Sequence, residues 1–219
     1  DRSPSRGLGD VYKRQYKKKY NLKIGVVNFD PMPKMFFNKK LKNFRLSNID
    51  QKIKLLRNLK VDFVITKKFD KKFSKTKALN FINKILNKKL SSKFIFVSNN
   101  FRFGNKREGN VNLLKKYEQL FNYKVVKPEP LVKSKKIVSS SLIRNLLEKG
   151  LLNKANNLLK RNWTIQGVVK KGRQVGKKIG FPTCNIDIGD YVLAKPGVYA
   201  VKVLRKNSNK YLKGIANLG

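Results

Sequence analysis

The chain contains no histidine and a single cysteine, Cys184, among 219 residues. Without imidazole there is no Ser-His triad and no His-based metal site. One thiol excludes an internal disulfide framework and a Cys-rich zinc site, both of which need several ligands. Long hydrophobic runs are missing too. No apolar stretch approaches the roughly 20 residues that span a bilayer, and the N-terminal segment lacks the apolar centre of a secretory signal. The expected setting is a reducing cytoplasm, with no membrane partner. Acidic residues are the other scarcity: 12 Asp and Glu stand against 53 Lys and Arg, a formal net charge of +41.

Such a charge ordinarily points to a polyanion. Here the basic residues are mostly lysine, spread singly and in pairs through every segment and accompanied by many Asn and Ile. A bias of this kind raises charge everywhere without building a site. No Arg-rich stripe or base-stacking platform is visible, so nucleic acid is not the expected partner. Hydrophobic residues make up 40% of the chain and aromatics run along its whole length, which is the composition of a folded protein with a real core.

Residues 1–15 carry neither a helical nor a strand period and read as non-native or disordered. From 16 to about 160, strand patterns alternate with helical ones. Ile24 to Phe29, Val61 to Ile65 and Phe94 to Val97 read as buried parallel strands. Between them, Ile49, Ile53, Leu56 and Leu59 share one helix face, and Leu79, Ile82, Ile85 and Leu86 share another. Ser47 and Asp50 look like a capping box. A helix is expected over Val111 to Phe121 and a short strand over Tyr123 to Val126. This alternation predicts a doubly wound, Rossmann-like α/β domain over 16–160. A helix pair broken at Gly150 leads into 161–219. There Trp163 to Val169, Tyr199 to Val203 and Tyr211 to Ala216 predict antiparallel β structure, a small barrel.

Three segments could carry chemistry. Ser139-Ser140-Ser141-Leu142-Ile143-Arg144 opens a helix, where free N–H groups, hydroxyls and a guanidinium can cradle phosphate. On local evidence the stronger reading is an ordinary capped helix start. The helix dipole supplies only about 0.3–2 kcal/mol, so other groups must help. Asp30 to Pro33 and Asn99 to Gly109 follow strand ends, where open α/β sheets bind ligands. The Phe, Arg and Gly residues of the second suit an aromatic heterocycle, or its Phe residues simply cover the core edge; the prolines of the first stiffen the loop or simply end the strand. Gly172, Gly176 and Gly180 recur at a spacing of four. They precede Phe181-Pro182-Thr183-Cys184-Asn185, in which Thr183 and Asn185 lie two apart and offer oxygens to Mg²⁺ or phosphate.

Taken in order, Phe29 to Pro33, Asn100 to Gly104, Ser139 to Arg144, Gly176 to Asn185, Gly197 to Val201 and Gly214 to Gly219 resemble the successive signatures of bacterial bifunctional riboflavin kinase/FAD synthetases. Gly180-Phe181-Pro182-Thr183-Cys184-Asn185 is the most specific. The resemblance implies an N-terminal module that joins the AMP part of ATP to FMN, giving FAD and pyrophosphate, and a C-terminal module that phosphorylates riboflavin to FMN. Mg²⁺ would serve both. It assigns ATP phosphate to Ser140, Ser141 and Arg144, and the flavin to Pro31, Pro33, Asn100 and Phe103. Mg²⁺ and ATP phosphate go to Thr183 and Asn185, and the loop over the nucleotide to Gly176 and Gly180. Met32, Ser98 and Cys184 stand where the family more often has His, Gly and Ala. The His-x-Gly-His motif and the catalytic Glu of the family have no counterpart here. The expectation is therefore a piece truncated at both ends, without catalytic residues of its own and inactive in both reactions. Another nucleotidyltransferase with a β extension and a basic RNA-binding protein remain the alternatives.

Overall fold

The computed structural model describes residues 8–133, 135–172, 180 and 183–219, with side chains from Arg14 onward. Two compact units emerge. One holds the residues up to Lys40 together with Ile53–Val138; the other holds Leu41–Lys52 together with Ser139–Gly219.

The first unit opens with helix α1, Leu8–Tyr20, which includes residues 8–15 despite their lack of helical period. Its C-terminal part is fixed by aromatics: the Tyr16 ring meets Phe94 at 4.6 Å and Phe96 at 5.5 Å, both edge-on. Lys17 also donates to the Asp62 carboxylate. Strand β1, Gly25–Asp30, pairs in parallel with β2, Phe63–Lys68, from Gly25↔Phe63 to Asp30↔Lys68. Strand β3, Phe94–Phe96, pairs in parallel with β4, Lys124–Val126. The parallel pairs match the alternating pattern in the sequence, but among the described residues they form two separate small sheets. Phe63 and Ile65 on β2 are exposed rather than buried.

Between the strands lie α2 (Pro33–Phe37), α3 (Ile49–Asn58), α4 (Lys71–Ser74) and α5 (Ala78–Asn80), which runs on into a π-helical stretch, Phe81–Lys89. The wider winding, with Leu90 N–H donating to Ile85 C=O at 3.0 Å, moves the inward face to Ala78, Phe81, Ile82 and Leu86. Leu79, expected on that face, is 43% exposed; the helical period assumed for it does not hold across an i→i+5 turn. Helix α6, Val111–Lys116, stops short of the expected Phe121. Asn110 caps it, its Oδ1 accepting from Leu113 N–H at 2.9 Å. Tyr123 lies in this core and donates to Leu114 C=O at 2.6 Å. Burial pushes its phenol up to about 12, with help from nearby Glu118. A short hairpin, β5 (Val132–Lys133) and β6 (Lys136–Ile137), ends the unit.

The second unit is built on α7, Ser140–Glu148, and α8, Leu152–Leu159. Gly150, at φ +74°, turns the chain between them in the left-handed conformation that glycine tolerates best. Its N–H reaches Leu147 C=O and that of Leu151 reaches Leu146 C=O, both at 2.8 Å, a paired closure that satisfies the last helical carbonyls. The core consists of Leu46, Ile143, Leu147, Ala155, Leu159 and Val192. Two antiparallel pairs follow: β7 (Val169–Lys170) with β8 (Asn185–Ile186), and β9 (Gly197–Leu204) with β10 (Tyr211–Leu218). Among the described residues the strands do not close a barrel, and Ile215 on β10 is 81% exposed. The chain is therefore mixed α/β with small sheets.

The capping box of α3 lies one residue beyond the expected Ser47 and Asp50. Asn48 Oδ1 accepts from Gln51 N–H at 2.8 Å, and Gln51 Oε1 accepts from Asn48 N–H at 3.1 Å. Asn is among the best caps and Gln completes the reciprocal pair. Ser47 instead accepts from Arg161 at 3.3 Å.

Two outcomes follow from this packing. Leu147→Ala is expected to destabilise the second unit by about 2–5 kcal/mol. Urea unfolding followed by the fluorescence of Trp163 measures this, because Trp163 is the sole tryptophan and lies in that unit, donating to Leu46 C=O at 3.1 Å. The second outcome concerns Asp62, whose carboxyl is held below its ordinary value by the Lys17 hydrogen bond first and the Ile24 N–H second. A depressed carboxyl stabilises above its unfolded value and loses that contribution as pH falls through the lower folded value. Asp62→Asn should therefore flatten the decline in thermal midpoint between about pH 5 and pH 3.

Candidate nucleotide and flavin sites

In the first unit, the loops that leave β1 and β2 meet. Phe69 N–H donates to Asp30 C=O at 2.9 Å, which brings Asp30-Pro31-Met32-Pro33 beside the exit of β2. Pro33 begins α2, where its missing N–H costs nothing. Met32 is buried, while Pro31 and Pro33 are half-buried. A file of rings runs from here into the core: Phe36 to Phe69 at 5.2 Å, Phe69 to Phe73 at 5.6 Å, Phe73 to Phe81 at 6.4 Å and Phe81 to Phe103 at 5.5 Å. Phe36 and Phe69 were not singled out in the sequence. Their signal was position, since each follows closely on a strand end, where ligand sites form in open sheets.

The Asn99–Gly109 loop folds on itself. Phe103 and Gly109 exchange both backbone hydrogen bonds, at 3.1 and 2.9 Å. Glu108 accepts from Ala78 N–H at 2.6 Å. This draws Phe103 into the core at 8% exposure, so the ring expected against a flavin packs on Phe81 and Phe101. Asn100 is exposed, and its Oδ1 accepts from Ser98 Oγ at 2.9 Å.

In the second unit, the serine run divides its work. Ser139 is the cap of α7, its Oγ accepting from Leu142 N–H at 3.2 Å. Ser140 is half-buried and Ser141 exposed at the first helical positions, at the positive end of the helix. Arg144 does not extend into solvent: it is 7% exposed. Its Nε donates to Phe44 C=O at 2.7 Å, and the guanidinium lies 3.6 Å from the centre of the Phe44 ring. Burial lowers its pKa to about 10, opposed by Glu148. It stays a cation at neutral pH.

Thr183 and Asn185 are exposed, with Asn185 on β8 opposite Lys170. The Asn185 amide nitrogen lies 1.8 Å from where a Cβ on Gly172 would stand, so a side chain there would push the exposed Asn185 amide aside. Gly180 is described, at φ +82°; Gly176, Phe181 and Pro182 lie outside the described residues. Lys170 donates to Asp187, and Gly189 N–H donates to the same carboxylate at 2.9 Å; together they hold its pKa down, the lysine first. Among the described residues no three His, Cys, Asp or Glu side chains group to hold a metal. Thr183 and Asn185 carry neutral oxygens, a hydroxyl and an amide, the type of donor that Mg²⁺ takes alongside waters and phosphate oxygens.

The split between capping and exposed serines is testable on folding alone. Ser139→Ala should cost about 1 kcal/mol, whereas Ser141→Ala should stay within about 0.5 kcal/mol of the parent, both read from Trp163-monitored urea unfolding.

Comparison with known proteins places these features. Residues 11–142 match the FAD synthetase family model and residues 159–219 the riboflavin kinase family model. The bifunctional riboflavin kinase/FMN adenylyltransferase of Buchnera aphidicola subsp. Schizaphis graminum is 38% identical over 213 residues, covering 97% of this chain and 67% of that protein. The Haemophilus influenzae protein of the same name is 37% identical, over 94% of this chain and 67% of its own length. That of Escherichia coli strain K12 is 35% identical, over 92% and 64%. The chain thus spans about two thirds of the length of these curated relatives. A crystal structure described as a macrolide-efflux protein from Streptococcus pneumoniae aligns with a TM-score of 0.78, 24% identity and coverage of 96% of this chain and 68% of that one, a likeness of fold alone. With both family models matched in order along one sequence, and relatives of the same bifunctional name aligned over nearly all of it, the chain belongs to the bifunctional riboflavin kinase/FMN adenylyltransferase family.

Proposed function

We propose that residues 16–160 take part in adenylyl transfer to FMN and residues 161–219 in phosphoryl transfer to riboflavin. The observation that carries the reading is the ordered pair of family matches, FAD synthetase over residues 11–142 and riboflavin kinase over residues 159–219. In the first reaction a phosphate oxygen of FMN attacks the α-phosphorus of ATP, the bond to the bridging oxygen breaks, and pyrophosphate leaves with its electron pair. Ser140, Ser141 and the first amides of α7 hold the leaving phosphates. The Arg144 cation, fixed against Phe44, adds positive potential in a site where charge builds up. Pro31 and Pro33 shape a stiff wall for the flavin, Asn100 offers it an amide, and Phe103 supports that wall from the core.

In the second reaction the riboflavin 5′-hydroxyl oxygen attacks the γ-phosphorus and gives its proton to solvent, the bond to the bridging oxygen breaks, and ADP leaves with that electron pair. Thr183 and Asn185 orient the ATP phosphates and the Mg²⁺ they carry, and Gly176 and Gly180 allow the loop to close over the nucleotide. Mg²⁺, when bound, neutralises charge on the phosphates. In this reading the parallel pairs β1–β2 and β3–β4 belong to one doubly wound sheet, β7 to β10 belong to a barrel, and the exposed Cys184 thiol stays reduced in the cytoplasm.

The experiment supplies the purified chain with Mg·ATP and either FMN or riboflavin, and follows FAD and FMN by chromatography; formation of either product overturns the expectation of an inactive piece, and the two substitutions then divide the work. Ser141→Ala should lower FAD formation about tenfold, the size of one lost hydrogen bond to a charged phosphate, and leave FMN formation unchanged. Asn185→Ala should do the reverse. Loss of both products in either variant sinks the division of labour, and absence of both products from a chain that binds ATP sinks the assignment of these reactions to it.

A further inference from the structure

Twelve consecutive residues of the second unit, Leu41–Lys52, come from a distant part of the sequence, and several of them are engaged with the rest of it. Phe44 receives Arg144 of α7, on its carbonyl and on its ring. Arg45 continues as backbone pairing: its N–H donates to Asp190 C=O at 2.7 Å, and its C=O accepts from Val192 N–H at 2.9 Å. Leu46 is fully buried between α7, α8 and Val192, and its carbonyl accepts from Trp163. At the far end, Tyr191 OH donates to Gln51 Oε1 at 2.6 Å and accepts from Gln166 N–H at 3.3 Å, while Gln51 Nε2 donates to Thr164 C=O at 3.1 Å. One end of the segment thus touches the helix that bears Ser140, Ser141 and Arg144. The other end touches residues on both sides of β7 and β8, the strands next to Thr183.

We infer that Leu41–Lys52 is a clasp that couples α7 to the Asp187–Ala194 segment, so that an anion seated on the start of α7 stabilises the riboflavin kinase part of the chain. The functional half of this inference rests on the phosphate role proposed for α7; the mechanical half does not. The reason for coupling is geometric. Arg144 sets the position of Phe44, and Phe44 is covalently followed by the residue whose N–H and C=O both pair with the Asp190–Val192 backbone. A shift at α7 cannot be absorbed between them, because Leu46 fills a close-packed core that resists small displacements. Any ligand that favours one placement of α7 therefore favours the same placement of Tyr191, and the linkage is reciprocal.

Amide hydrogen exchange of the full chain tests this in two arms. Without ligand, Arg144→Lys should speed exchange across Asp187–Ala194, and Gln51→Ala should speed it across Ser139–Glu148. The expected change is about fivefold or more, the lower end of ordinary couplings, with the amides of β1 and β3 unchanged. Effects confined to the mutated end, or spread equally over β1 and β3, overturn the clasp. Gln51→Ala lies at the rim of the core and serves where Arg144→Lys does not fold. In the second arm, inorganic pyrophosphate should slow exchange at Ser139–Ile143 and at Asp187–Ala194 in the parent, and only at Ser139–Ile143 in Gln51→Ala. Slowing at Asp187–Ala194 that persists in Gln51→Ala shows direct binding there and overturns the coupling. No slowing at Ser139–Ile143 overturns the phosphate role of α7 and the ligand linkage with it, while the ligand-free arm still decides the clasp.

Discussion

The backbone of Arg45 holds the second unit together. Its N–H and C=O pair with Asp190 and Val192, and this pairing inserts Leu46 among helices α7 and α8. Without that leucine the helix hairpin would face a void, and a cavity of that kind is among the costliest defects a small core can carry. The burial of Arg144 depends on it as well. A guanidinium taken out of water needs compensation, and Phe44 provides it through a carbonyl and a ring face. The helix start proposed to hold phosphate is thus positioned by residues nearly a hundred positions earlier in the chain.

Several of the scarce carboxylates are placed on backbone amides, and two of these, Asp62 and Asp187, also take a lysine. Asp70 accepts from Phe73 N–H, Glu108 from Ala78, Glu118 from Val125 and Asp62 from Ile24. Each fixes a helix start, a loop or a strand end with a charge-assisted hydrogen bond, which is stronger than an exposed ion pair. The lysines that outnumber these acids are left to the solvated surface. The consequence is a protein whose local order rests on a few acids, while its net charge reflects composition.

Legibility in the sequence followed the range of the forces involved. The Ser139 cap, the Gly150 turn and the apolar stripe of α7 were readable because they act over a few residues. The parallel strand runs were readable as β-branched and aromatic clusters, and the family signature was readable as a string of short motifs. The capping box of α3 was misplaced by one residue, because Ser47-Asp50 and Asn48-Gln51 satisfy the same local rule and only the pull of Arg161 on Ser47 separates them. Leu79 was misassigned because the stretch that follows it, Phe81–Lys89, winds as a π-helix, so a 3.6-residue period does not carry one face from Leu79 to Leu86. Phe103 was placed at a flavin wall from its motif, and the closure of its loop on Gly109 put it in the core.

By itself the sequence determined the kind of protein: α/β in its first part, antiparallel β in its last, with the motifs of one family in order and no means to build a His or Cys centre. Those properties depend on residue type and short spacing, which the chain carries along its length. Tertiary structure alone decided that Leu41–Lys52 completes the unit of Ser139–Gly219, that Arg144 is a buried anchor, and that Tyr191 and Gln51 meet. Contacts between residues a hundred or more positions apart leave no periodic trace, because they are selected by the shape of a packed core and by the need to pair every buried polar group.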